Sequence, residues 1–246
     1  MIRTFFILKR VYLIPMHSNR SYFLTLIDNY PHPMRWDRGR GKEFAEALIP
    51  FEPELVWNRI HYRELIDKDL TKSAEVQKVL SSDGLILSGS SYNLSEKDVR
   101  ERFEPLADMV RRYEKPILGI CFGHQFLANA FGFPIRPMRP EYIDSEWWEH
   151  TQEPVLLTVR KGFPLIDSGS IWVEFSHHEE IQQSEKFPRV FEVFASTEAC
   201  RIQIIMHRKK PFFGIQFHPE TGKDPRARRD GQKIFEGFIR YIKAMR

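Results

Sequence analysis

The sequence predicts an α/β fold, with one open, mostly parallel β-sheet flanked by helices. Short apolar runs rich in β-branched and aromatic residues alternate with helical patterns from Phe23 onward. The clearest run, residues 22–28 (YFLTLID), is almost continuously apolar, as expected of a strand covered on both faces. No internal repeat, low-complexity tract or Gly/Ser linker divides the chain. We therefore expect one domain over residues 21–246, preceded by an N-terminal extension over residues 1–20.

The first half of the chain then predicts a helix, a strand and a second helix. A polar segment with two prolines separates the first strand from a helical stretch over residues 41–49. The buried run 84–87 (GLIL) predicts a strand that ends in a small-residue loop, Ser88 to Ser91. Apolar residues at helical spacing follow a capping box at Ser95 and Asp98, and Pro105 inside this helix predicts a kink or a restart.

A strand, a tight turn and a helix come next, followed by a β-rich second half. The run 116–120 (PILGI) predicts a strand, and a helix continues from Cys121 through Phe131 until Gly132 terminates it. Further strand-like runs occupy residues 155–159, 171–175, 191–195, 202–206 and 212–217. A closing helix has one apolar face, formed by Ile234, Phe235, Phe238, Ile239 and Ile242.

Composition excludes several classes of protein. The chain has 246 residues with a net charge of only +4, so charge alone does not indicate a nucleic-acid partner. Two cysteines, Cys121 and Cys200, are too few for a disulfide framework and favour a reduced, cytoplasmic protein. The apolar N-terminus is interrupted by Lys9 and Arg10 and is shorter than the roughly 20 apolar residues of a spanning helix. We expect neither nucleic-acid nor membrane binding.

Residues 119–123 (GICFG) have the spacing of a nucleophile elbow. In such an elbow a strained strand-to-helix turn lifts the reactive atom above the sheet edge, and glycines on both sides remove Cβ atoms that would collide. A sulfur at a helix N-terminus is also favoured as thiolate. Most lone cysteines are small buried residues, but this context indicates that Cys121 is a nucleophile.

A base for the thiol is available at the end of the last predicted strand, in residues 214–220 (GIQFHPE). A strand end can hold the imidazole of His218 beside an elbow at the same sheet edge. Glu220, two residues further on, can orient the ring and stabilise its charged form. An α/β-hydrolase shares the elbow spacing, but its acid precedes the histidine in the chain, which disfavours that fold.

Together, GICFGHQ (119–125) and GIQFHPE (214–220) resemble the class I glutamine amidotransferase family, whose fold is flavodoxin-like. The similarity extends to LTLIDNY (24–30), DGLILSGS (83–90) and residues 194–220, and it covers roughly residues 22–243. The segment 194–220 is most similar to the amidotransferase domain of GMP synthetases.

The resemblance implies roles for individual residues. Cys121, His218 and Glu220 would form a catalytic triad. The backbone N–H groups of Phe122 and Ser90 would form an oxyanion hole. Glutamine would be held by residues of the loops around the nucleophile, namely Gly89, Gln125, Ser176, His177 and His178.

Two features depart from the family pattern. The loop that usually reads Ser-Gly-Gly-Pro is here Ser88-Gly89-Ser90-Ser91, so the oxyanion hole depends on whether its backbone φ angle allows serine. The acidic tryptophan segment 145–149 has no family counterpart and is interpreted as an entrance cap, a partner surface or a cover for the sheet edge.

Other polar residues are given structural interpretations. His177 and His178 are adjacent and on a strand would point to opposite faces, so no metal site is expected. Cys200 has no glycine elbow or obvious base and is predicted to be structural. The basic residues Lys223, Arg226, Arg228 and Arg229 are most simply a solvated loop that leads into the last helix, with docking of a partner or an anionic substrate as the alternative.

The leading functional hypothesis is hydrolysis of the glutamine side-chain amide through a γ-glutamyl thioester, with ammonia supplied to a separate synthetase. No phosphate-binding GxxxxGK loop is present, and no cofactor is implied. One alternative is a stand-alone γ-glutamyl hydrolase or peptidase, whose larger pocket the unusual segments 31–41 and 141–153 would shape. Another is an inactive, amidotransferase-like regulatory subunit.

Overall fold

The computed structural model describes residues 21–66, 73–139, 149–150, 153–166 and 169–245. The predicted extension 1–20 and the tryptophan pair of the segment 145–149 lie outside these residues. The main-sheet strands are β1 (Tyr22–Asp28), β2 (Leu55–His61), β3 (Gly84–Leu87), β4 (Ile117–Ile120), β11 (Phe191–Ala195), β12 (Ile204–His207) and β13 (Phe212–Ile215). The short strands are β5 (Ile135–Pro137), β6 (Glu149–His150), β7 (Val155–Thr158), β8 (Ser170–Val173), β9 (Ser176–His177) and β10 (Glu179–Ile181). The helices are α1 (Gly39–Leu48), α2 (Arg63–Ile66), α3 (Ala74–Ser81), α4 (Lys97–Arg112), α5 (Phe122–Ala130), α6 (Phe187–Val190) and α7 (Pro225–Ala244).

The described strands of the main sheet run in the order β11-β12-β13-β4-β3-β1-β2. The five strands from β13 to β2 are parallel, and β12 and β11 are added antiparallel at one edge. This architecture confirms the predicted α/β class and its mostly parallel sheet. The carboxyl ends of β1, β3, β4 and β13 meet at one edge, which is where ligands bind in open α/β folds.

Strand side chains alternate between two apolar layers. In β1, Leu24 and Leu26 pack into the layer that contains α7, whereas Ile27 packs into the layer that contains α4 and α5. The same alternation separates Leu118 and Ile120 from Ile117 in β4. Both faces of the sheet are therefore buried, which explains why these strands are nearly continuously apolar.

Helix α4 differs from its sequence prediction in two ways. The capping box is wrong: the N-cap residue is Glu96, no side chain caps the helix, and the N–H of Ser95 instead donates to Glu179. Of the predicted kink or restart at Pro105, the restart does not occur, because the helix is continuous through this residue. Proline removes the hydrogen bond to the carbonyl four residues earlier, but that residue, Glu101, is exposed and its carbonyl can be hydrated.

Strand β2 has no counterpart in the sequence prediction. It is the outer strand of the sheet, and its central residues from Val56 to Arg59 are exposed or half-buried. An edge strand of this kind lacks the apolar run that identified β1. Among the described residues, no helix is long and apolar enough to cross a membrane.

Candidate active site

The turn between β4 and α5 has the geometry of a nucleophile elbow. Cys121 has φ 52° and ψ −106°. Among the described residues, it is the only non-glycine residue with a positive φ. A Cβ on Gly119 would collide with the carbonyl of Gly123, and a Cβ on Gly123 would collide with the carbonyl of Leu87 in β3. Such a conformation costs on the order of 1–3 kcal/mol and persists only where the surrounding structure enforces it.

His218 and Glu220 follow β13, the strand next to β4. Ile215 of β13 is in register with Ile120 of β4, so the histidine emerges beside the elbow. The two side chains are joined by a bond of 2.7 Å between His218 Nδ1 and Glu220 Oε1, and both are almost completely buried. The structure thus brings the three residues of the predicted triad to one place.

Electrostatics keep the imidazole of His218 charged. Burial acts to lower its pKa, but the charges of Glu220 and Cys121 outweigh burial and raise the pKa to about 10. Burial likewise acts to raise the pKa of Glu220, whereas the charges of His218 and Arg40 lower it below its ordinary value. At neutral pH the pair is therefore an imidazolium and a carboxylate.

The loop after β3 packs directly on this pair. A Cβ on Gly89 would lie 2.8 Å from Cε1 of His218 and 3.3 Å from the hydroxyl of Tyr30, so the close approach of the ring requires glycine. The neighbouring Ser90 does not have a positive φ, so serine fits its backbone without strain. Its hydroxyl donates to the carbonyl of Asn29 at 2.7 Å and accepts from the N–H of Tyr92 at 3.1 Å.

The two predicted oxyanion donors are available for a ligand. Phe122 is the first residue of α5, where a backbone N–H has no partner within the helix. Among the hydrogen bonds between described residues, neither this N–H nor that of Ser90 has an acceptor.

Gln125 lies behind the nucleophile rather than beside an open pocket. Its amide donates to the carbonyl of Glu179 at 2.8 Å and to Oε1 of Gln216 at 3.2 Å. Gln216 in turn donates to Sγ of Cys121 at 3.7 Å. Gln216 was not singled out from the sequence, although it lies inside the motif GIQFHPE.

The segment 176–178 forms the wall opposite the elbow. The carbonyl oxygen of Ser176 lies 3.9 Å from Sγ of Cys121. His177 is buried, with Nδ1 3.1 Å from the carbonyl of Glu179, and Nε2 of His178 lies 2.7 Å from Oδ1 of Asn93. Among the described residues, no group of three or more His, Cys, Asp or Glu side chains is arranged to hold a metal ion.

A cavity of about 930 Å³ borders His218, Glu220 and Ser176. Arg40 lines it and pairs with Glu43 at 3.3 Å, and no motif in the sequence identified this arginine. The other charged residues that line the cavity are Glu46, Glu153, Glu174, Lys223, Asp224 and Arg228. Both Lys223 and Arg228 of the basic stretch thus face the cavity, while Arg226 pairs with Asp224 and stacks over Trp172.

Cys200 is not part of this site. It is fully buried, and its thiol donates to the carbonyl of Ile202 at 3.6 Å. Both cysteines are free thiols.

The family model for "Glutamine amidotransferase class-I" matches residues 51–240. The chain belongs to the class I glutamine amidotransferase family. The match covers more than half of the chain, and it supports an amidohydrolase activity and the predicted fold.

Individual relatives agree with this assignment. The chain is 30% identical over 187 residues to one subunit of the glutamine-hydrolyzing GMP synthase of Methanothermobacter thermautotrophicus. The aligned region covers 74% of this chain and 89% of that protein. It is 29% identical over 200 residues to anthranilate synthase component 2 of Thermococcus kodakarensis, which covers 78% and 96%. The predicted resemblance to GMP synthase amidotransferases is confirmed.

A solved structure shares the fold. A Thermoplasma acidophilum protein proposed to be one of the subunits of a GMP synthase superimposes with a TM-score of 0.66 at 21% identity, over 92% of this chain and 96% of that one. At this identity the similarity concerns the fold alone.

Proposed function

We propose that this protein hydrolyses the side-chain amide of glutamine, with Cys121 as nucleophile, His218 as proton carrier and Glu220 as the group that orients the histidine. The observation that carries the proposal is the 2.7 Å bond between His218 and Glu220 at the strand adjacent to the elbow of Cys121. Membership in the class I amidotransferase family supports it.

In the first half-reaction, the thiolate of Cys121 attacks the side-chain carbonyl carbon of glutamine. The carbonyl oxygen becomes an oxyanion, which the N–H groups of Phe122 and Ser90 stabilise. When the C–N bond breaks, the imidazolium of His218 gives its proton to the leaving nitrogen, so ammonia departs and a γ-glutamyl thioester remains.

In the second half-reaction, the now neutral His218 removes a proton from water as the oxygen attacks the thioester. The C–S bond breaks, glutamate leaves, and the thiolate faces the imidazolium again. Glu220 keeps Nδ1 protonated throughout, so Nε2 is the nitrogen that transfers protons. The glutamine site is shaped by Gly89, Gln125, Ser176, His177 and His178. Gln125 acts on it through Gln216.

We further propose that ammonia passes to a synthetase on another chain. The two relatives named above are each one part of a synthase, a subunit in the first case and "component 2" in the second, which supports a role within an assembly. We also propose that residues 21–246 form one domain, with 1–20 as an extension. The two free thiols support a cytoplasmic location.

A glutaminase assay on Cys121→Ala tests the proposal. We expect the purified wild-type protein, alone or with a co-purifying synthetase, to release glutamate and ammonia, and Cys121→Ala to lose at least about 10³-fold in kcat. Cys200→Ala is the matched control and should keep its activity. Equal activity in Cys121→Ala and the wild type would rule out the proposed nucleophile.

The cavity favours one second candidate, a stand-alone γ-glutamyl hydrolase. The cavity, of about 930 Å³, lies beside His218, the group that would protonate the leaving amine. It therefore leaves room for an amine larger than ammonia. The chemistry of Cys121 would be unchanged. Comparison of kcat/KM for glutamine and for a series of γ-glutamyl dipeptides decides between the two candidates, because a higher value for the dipeptides favours the hydrolase.

A further inference from the structure

The loop over residues 88–95, called here the serine loop, carries the proposed oxyanion donor Ser90 and is held at both ends. At its start, the N–H of Asn29 donates to the hydroxyl of Ser88 at 2.9 Å, and the hydroxyl of Ser90 donates to the carbonyl of Asn29. At its end, it is attached to the segment 176–181 by bonds that span more than 80 positions of sequence.

Glu179 makes the principal attachment at that end. Its two carboxylate oxygens accept from the N–H of Leu94 at 2.7 Å and from the N–H of Ser95 at 3.0 Å. The residue is only 3% exposed, and its own carbonyl accepts from the amide of Gln125 on the elbow helix at 2.8 Å. One residue thus contacts both structures that present the proposed oxyanion donors.

We infer that Glu179 is a positioning residue for the oxyanion hole, in that its carboxylate sets the position of the serine loop relative to the elbow. This inference rests on the proposed glutamine hydrolysis. Burial of a carboxylate is unfavourable, and an apolar residue would fill the same space without that penalty. Two charge-assisted bonds to consecutive N–H groups, in contrast, hold a backbone segment in one position.

Glutamine at position 179 is the informative substitution. The amide has nearly the same shape, but only its oxygen accepts, so its NH₂ group faces one of the two backbone N–H groups, donor against donor. Glu180→Gln is the matched control, because Glu180 is the next residue, is also buried, and pairs with Arg136 away from the serine loop.

We expect Glu179→Gln to lower kcat for glutamine by about 10-fold to 100-fold, since removal of a whole oxyanion donor lowers kcat by about 10²–10³. KM should change by less than about threefold, because the missing interaction belongs to the transition state.

Alkylation of Cys121 by iodoacetamide should keep its rate, because that displacement forms no oxyanion. A glutamate γ-aldehyde forms a tetrahedral oxyanion adduct with Cys121. Its affinity for Glu179→Gln should fall in parallel with kcat.

A purely structural role at the start of α4 predicts a different pattern. Glu179→Gln would then lower the Tm without a change in the kcat of the folded fraction, or would lower kcat and the alkylation rate together, and either result overturns the inference. A kcat equal to that of Glu180→Gln overturns it as well. If Glu179→Gln does not fold, Glu179→Asp replaces it, since its shorter carboxylate cannot reach both N–H groups. A wild-type protein without glutaminase activity contradicts the proposed function instead.

Discussion

The elbow and the serine loop follow adjacent strands and border the same site, but they are held in different ways. Cys121 is fixed by backbone packing: Gly119 of β4 packs against the backbone of Gly123 in α5, and Gly123 packs against the backbone of Leu87 in β3, each without space for a Cβ. The serine loop is fixed by hydrogen bonds that involve side chains. The side-chain amide of Asn29 donates to the carbonyl of Ser88, His178 bonds to Asn93, and the carboxylate of Glu179 accepts from the N–H of Leu94. The nucleophile is therefore placed by packing that tolerates no change, whereas the surrounding loop is placed by polar contacts that can be altered one at a time.

After loss of the nucleophile itself, the largest effect on activity should come from Glu220→Gln, which removes one of the two charges that hold His218 protonated. We expect kcat/KM to fall by about 10²–10⁴-fold, the usual contribution of an acid–base group. Because the pKa of His218 is raised to about 10, wild-type activity that needs the imidazolium persists below that pH and is lost as pH rises through it. In Glu220→Gln this loss should occur at lower pH. A pH profile with the same upper limb in both proteins would contradict the assignment.

An effect of intermediate size is expected for Gly123→Ala, which tests the rigid side of the comparison. Its Cβ would overlap the carbonyl of Leu87 in a central strand, which cannot move without disturbing the sheet. We expect a loss of about 3 kcal/mol in the free energy of unfolding. Gly169→Ala is the control, because its Cβ would meet no atom closer than 4.0 Å and should change stability by less than about 1 kcal/mol. Similar denaturant midpoints for the two variants would show that the elbow relaxes.

The smallest effect is expected for Ser90→Gly, which restores the usual residue of the family. Ser90 has no positive φ, so the serine does not strain the loop, and its hydroxyl contributes a bond to Asn29. The variant should lose about 1 kcal/mol of loop stability and change kcat by less than about fivefold. Steady-state kinetics would refute this expectation if kcat rose by an order of magnitude.

The same contrast explains what could be predicted from the sequence. Strands β1, β3 and β11 begin and end as predicted. For β1 and β3 the reason is that buried parallel strands are marked by continuous apolar runs. The elbow and the pair His218 and Glu220 were predicted as local motifs and are brought together. Glu179 and Arg40 were missed, because their contacts join elements that are distant in sequence and no local spacing indicates them.

The parallel pairing of β4 with β13 also has a consequence for how the protein reaches its active form. Cys121 and Gln216 are in contact but 95 positions apart, so the proposed nucleophile and its base meet only after a long segment has closed. Non-local pairings of this kind form late and slowly in folding. A nascent chain that has emerged only as far as α5 would carry the cysteine without its histidine. Catalytic competence is thus expected to be among the last properties that the folding chain acquires.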